Sequence, residues 1–89
     1  IWGQRHHEYL RRNKQITLSS LQISGKLNSY LADIDRQAEE MFELLVNQMA
    51  AAEGVTEQLK AADQMAWTGK MNSIRNRVIE IVNSEIIFK

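Results

Sequence analysis

A chain of 89 residues makes one domain, close to the size at which a single apolar core is only just sufficient and a second copy often completes it. With 44% apolar and 25% charged residues it has the makeup of a globular rather than a disordered chain, and its lack of cysteine excludes disulfides and thiolate metal sites. The net charge of zero conceals a gradient: residues 1–30 hold five cations against one carboxylate (+4), residues 31–64 two against eight (−6), and residues 65–89 four against two (+2). Such a basic end and acidic middle suit either contact with a polyanion or pairing between subunits.

The first predicted element is a short helix over about residues 4–13, with Tyr9 and Leu10 as its apolar contacts. Proline is absent and the four glycines leave few forced breaks. A second helical run is predicted over 14–53. Its apolar positions Leu27, Leu31, Ile34, Ala38, Met41, Leu45, Met49 and Ala52 recur at threes and fours, which defines one helix face. Tyr30, Phe42 and Val46 widen that stripe. Ile16, Ser20 and Ile23 stay in phase with it across Ser24-Gly25, so the expectation is one long helix that tolerates a kink at 24–25.

In the segment "EGVTEQLKAADQMAW", Gly54 suits the left-handed position beyond a helix end, Val55 folds back on the last turn, and Thr56 is an N-cap with Glu57 in the turn it opens. A stop, a turn and a start in three residues predict an antiparallel helical hairpin. The last helix is predicted over 57–87, with a seam of Trp67, Met71, Ile74, Val78, Ile81 and Glu85, and Val82 and Ile86 beside it. Trp67 lies in phase with the seam and reads as a core anchor. The expected fold is all-α: a short N-terminal helix and a long helical hairpin. Two helices do not enclose stripes this wide, so a homodimer forming a four-helix bundle is expected, with Leu27, Leu31, Ile34, Met41, Leu45, Trp67, Met71, Ile74, Val78 and Ile81 in the core or the dimer interface.

Chemistry is sparsely signalled. The carboxylates Asp33, Asp35, Glu39, Glu40 and Glu43 lack the inward Glu-x-x-His pairs of a bundle metal site, and a solvated acidic face with Arg36 pairing to Glu40 is the simpler reading. His6 and His7 are adjacent, point about 100° apart on a helix, and read as surface residues near a chain end. No nucleophile is matched with a base and an orienting group, and no Gly-rich phosphate loop occurs, so no enzymatic activity, metal or cofactor is expected. The basic candidates for nucleic-acid contact are Arg5, Arg11, Arg12 and Lys14, with Trp2 and Tyr9 nearby, and then Lys70, Arg75 and Arg77 on the polar side of the last helix. No apolar run spans a bilayer and no signal-peptide pattern is present, so the expected location is the cytoplasm. The opening Ile1, in place of Met, leads us to expect an upstream segment.

Several segments, in order, carry a family resemblance. "WGQRHHEYL" resembles an aromatic-Gly, five variable residues, then Tyr-Leu; "SGKLNSYLADID" resembles Ser-Gly-x-Leu followed by Leu-x-acidic-Ile-acidic; "EGVTEQLKAADQMAW" and "MNSIRNRVIEIVNSEIIF" are the most specific parts. On these the chain resembles the transposon-encoded TnpV family over essentially its whole length. It departs from the family at Gln15, where proline is frequent, and at His6, His7 and Glu8, where Arg and Lys are usual. It also lacks the short polar and aromatic stretch with which members begin. The resemblance implies an accessory protein of a mobile element, with an excisionase-like binding of duplex DNA or association with a recombinase. A protein-interaction adaptor without nucleic-acid binding is the alternative.

Overall fold

The computed structural model describes residues 1–89 as helices joined by very short links, without strands. The helices are α1 (Trp2–Asn13), α2 (Gln15–Ser24), α3 (Leu27–Ala52), α4 (Glu57–Ala62) and α5 (Gln64–Val82), and a π turn over Asn83–Ile87 closes α5. The molecule measures 55 × 20 × 18 Å, the rod that long helices at about 1.5 Å per residue must make. No helix is long and apolar enough to cross a membrane. The all-α expectation holds.

The single long helix over 14–53 does not form. Gly25 adopts φ +73°, and Lys26 N–H bonds the Leu21 carbonyl at 3.1 Å while Gly25 N–H bonds that of Gln22. This is the left-handed stop that glycine alone adopts without a Cβ penalty, and it ends α2 outright. Apolar phase persists across the stop in sequence but not in space. Ile16 and Ile23, expected in line with Leu27, are 88% and 87% exposed, and only Leu18 of α2 is buried. A one-residue break at Lys14 also separates α1 from α2.

At the other end of α3 the same device recurs at Gly54 (φ +72°), with Val55 N–H bonding the Ala50 carbonyl at 2.8 Å. Thr56 Oγ1 accepts from Leu59 N–H and opens α4. The continuous helix over 57–87 is interrupted at Asp63, whose Oδ1 accepts the Ala66 N–H at 3.1 Å and caps α5. An aspartate outcompetes helix continuation here because its side chain satisfies an orphan donor.

The core runs along α3 and α5. Ala38 and Val46 on α3 meet Met71, Ile74, Val78 and Val82 on α5, with Trp2, Val55 and Ile87 joining them. The Glu53 carboxylate takes both guanidinium nitrogens of Arg77 at 2.9 Å, while Ile81 and Ile86 lie beside Met41. Of the expected core residues, Met71, Ile74 and Val78 are buried; Leu27, Leu31, Ile34, Met41, Leu45 and Trp67 are half-buried; Ile81 is 39% exposed. Glu85, assigned to the seam, is exposed, and Ile87 is fully buried. The π turn explains the burial of Ile87. Phe88 N–H bonds the Asn83 carbonyl, five residues back, so the buried spacing changes from four (Val78 to Val82) to five (Val82 to Ile87). One extra residue in the turn buries Ile87 fully where a regular helix would place Ile86, while Glu85 continues the exposed row from Ile81.

Candidate nucleic-acid interface

Helix α1 is held in place by its own first turns. Trp2 is buried, its Nε1–H donates to Glu39 Oε2 at 2.9 Å, and its ring meets Phe42. Gly3 N–H donates to Asp35 Oδ1 at 3.0 Å, which holds the Asp35 carboxyl below the usual carboxylate range. A Cβ on Gly3 would stand 3.0 Å from the Leu31 carbonyl oxygen, so glycine lets α1 approach the α3 backbone. Trp2 was expected among the aromatic neighbours of a basic patch. It is instead a core residue, and only its ring face toward Arg5 (5.0 Å from the guanidinium) touches the cationic side.

His6, expected at the surface, is 3% exposed. Its Nδ1 lies 2.7 Å from the Ile87 carbonyl oxygen and its Nε2 lies 2.7 Å from the Tyr30 hydroxyl. A carbonyl only accepts, so Nδ1 carries the proton, and in the neutral ring Nε2 accepts from Tyr30. Burial pushes the Tyr30 hydroxyl up, which keeps its proton in place. With both nitrogens engaged, this histidine joins three elements and has no lone pair to offer a substrate. Adjacency to His7 obscured it in the sequence. The surviving signal was its i, i+4 spacing to Leu10, which is also buried.

The outward face of α1 carries the charge. Arg11 binds Glu8 through Nε at 3.1 Å and through Nη2, and Arg12 Nε donates to the same carboxylate at 3.0 Å. Its hydrogen bond to Arg11 is the main reason the Glu8 carboxyl lies below its usual range, and Glu8 in turn raises Arg11. One carboxylate between two guanidiniums leaves a net positive charge. Arg5 and Arg12 line one cleft with Glu8, Tyr9, Asn13, Asn83 and Phe88, which is 51% exposed and whose ring lies 5.7 Å from that of Tyr9. Arg12 also lines the adjoining cleft with Lys14 and Gln15. The structure therefore brings Arg5, Arg12 and Lys14 into one strip and adds Asn83 and Phe88, which the sequence reading did not connect to them.

The second basic group is separate. Arg77 is committed to Glu53, whose carboxyl it holds below the usual range, while Lys70 and Arg75 are exposed. Lys70 lies thirteen residues from Asn83, about 20 Å along the axis, so the two groups do not share a cleft. The acidic candidates also separate: Asp35 and Glu39 face α1, Asp33 and Glu40 flank Arg36 at 3.6 and 3.7 Å, and Glu43 is exposed. No three carboxylates or histidines converge as metal ligands would.

The motifs that carry the family resemblance fall at helix contacts and helix ends. Trp2-Gly3 docks on Asp35 and Glu39, Gly25 ends α2, and Gly54 with Thr56 turns the chain between α3 and α4. They are determinants of the fold. No curated protein and no solved structure matches the chain. The family model for the transposon-encoded protein TnpV matches residues 1–87 of the 89. The chain belongs to the TnpV family of transposon-encoded proteins.

Proposed function

We propose that this protein is a non-enzymatic, cytoplasmic accessory factor of a mobile element. On this reading it contacts duplex DNA in an excisionase-like or other recombination-associated role. The observation that carries it is the strip of Arg5, Arg12 and Lys14 beside the exposed Phe88 ring. Guanidinium and ammonium groups neutralise phosphates, and asparagines such as Asn13 and Asn83 donate to sugar, phosphate or base edges. Arg11 supports the same surface from its pair with Glu8, and Lys70 and Arg75 would extend contact along α5. The protein acts as a homodimer on this reading. An adaptor that docks a recombinase or another helical protein is the second reading, favoured by an apolar groove between α3 and α5.

Fluorescence anisotropy with duplexes from the ends of the parent element, and with scrambled duplexes, tests the choice at two salt concentrations. Neutralised phosphates make affinity fall steeply with salt, whereas an apolar interface changes little. Arg5→Ala with Arg12→Ala is expected to weaken binding at least tenfold and to lower the salt slope by about 1 per lost contact. Binding that ignores both substitutions rejects the strip. Absence of binding by the folded protein moves the reading to the adaptor.

A further inference from the structure

Two apolar surfaces of this molecule have nothing covering them. One is the outer ridge of α2, where Ile16 and Ile23 stand 88% and 87% exposed on a helix without a single ionisable residue. Ser19 and Ser20 lie between the two isoleucines, and Lys14 precedes the helix while Lys26 follows it, so the ridge is uncharged, with an isoleucine near each end, between two cations. The other is the groove between the middle of α3 and the end of α5, floored by Met41, Leu44 and Ile81 and edged by Glu40 and Glu85. Leu44 is 57% exposed and Ile81 39%. Ile16 and Ile23 take no part in the core, and Leu44 and Ile81 are the exposed apolar members of the groove, whereas Met41 also packs against the core.

We propose that the ridge of one copy docks in the groove of a second copy of this chain, with Lys14 and Lys26 toward Glu40 and Glu85. This rests on the homodimer reading above and names its interface. Lengths agree: Ile16 to Ile23 spans about 10 Å of helix, and the stretch of α3 along the groove, residues 37–45, spans about 12 Å. Charges agree as well, since cations bracket the ridge and carboxylates edge the groove. The only ion pair already formed by either carboxylate is the loose, exposed Arg36–Glu40 contact at 3.7 Å. A molecule does not fill its own groove, because α2 touches α1 and α3 but has no contact with α5 or its π turn, and Leu18 fastens it there. One chain carries both halves, so a two-fold pair seats two ridges in two grooves and closes.

Sedimentation velocity of the whole chain from micromolar to several hundred micromolar, without DNA, tests this. The mass is expected to rise from 10.3 kDa towards twice that value. The ridge variant Ile16→Glu with Ile23→Glu and the groove variant Glu40→Lys with Glu85→Lys alter exposed positions only, and circular dichroism should show both fully helical. Each alone is expected to dissociate at least tenfold more readily. Lys14→Glu with Lys26→Glu, combined with the groove variant in one chain, is expected to restore the dimer. A wild-type chain that stays monomeric throughout overturns the homodimer and the inference together. A dimer indifferent to the groove variant keeps the homodimer and overturns this interface, pointing to ridge-on-ridge packing. A combined variant that fails to recover overturns the pairing of charges.

Discussion

His6 and Ile87 lie 81 residues apart in the chain and are joined by a 2.7 Å hydrogen bond from the imidazole Nδ1–H to the carbonyl oxygen. With the Tyr30 hydroxyl on Nε2, the ring ties α1, α3 and the closing π turn at a single buried point. His6→Ala leaves a cavity and strands the carbonyl and the hydroxyl. At about 1–3 kcal/mol for each buried polar group left unpaired, a loss of roughly 2–6 kcal/mol is expected in urea unfolding. Tyr30→Phe strands only Nε2 and is expected to cost about 1 kcal/mol. A His6→Ala protein as stable as the parent would reject the tie.

Glycines make opposite predictions at two positions. Gly3→Ala drives a methyl to 3.0 Å from the Leu31 carbonyl oxygen, so α1 must move off α3 at a cost of about 1–3 kcal/mol. Gly69, inside α5, has nothing within 4 Å of where its Cβ would stand. Gly69→Ala is expected to stabilise by about 0.5–1 kcal/mol through helix propensity alone. Thermal melts of the two variants should move in opposite directions.

The two tryptophans are unequal. Trp2 is 5% exposed with its indole N–H satisfied, whereas Trp67 is half-buried at the edge of the core under Lys60, 4.7 Å from the ring centroid. Trp2→Ala is expected to cost about 3–5 kcal/mol, and Trp67→Ala less than Trp2→Ala because part of its surface is already in water. A folded Trp67→Ala chain beside an unfolded Trp2→Ala chain is the expected pair of circular dichroism spectra.

Acid should loosen the fold in a defined way. Asp35, Glu53 and Glu8 are held below the usual carboxylate range, Asp35 by the Gly3 N–H, Glu53 by Arg77 and Glu8 by Arg11. A depressed folded-state value means that each contribution is present above the unfolded-state value. It is lost as pH falls through the folded-state one. Melting temperature is therefore expected to hold from pH 7 to about 5 and to decline below about pH 4. Asp35→Asn should flatten the decline. All three groups are largely exposed, so the effect of each is small.

What the sequence determined by itself is local. The helical class, the turn at Gly54 with its Thr56 cap, and the apolar face through Ala38, Val46, Met71, Ile74 and Val78 follow from periodicity and capping chemistry, which act within a few residues. Gly25 and Asp63 signalled their breaks through the same chemistry, but unbroken apolar phase concealed them. The tertiary structure decided which apolar residues have a neighbour. Ile16 and Ile23 share the phase of the core yet face outward, because the left-handed turn at Gly25 redirects α2. His6 became structural, Arg77 was committed to Glu53, and Phe88 joined Arg5 and Arg12 at one cleft only through neighbours 24 to 83 residues apart in the chain. Contacts that distant leave no periodic trace in a single chain, since each depends on how helices cross and not on what either helix prefers alone.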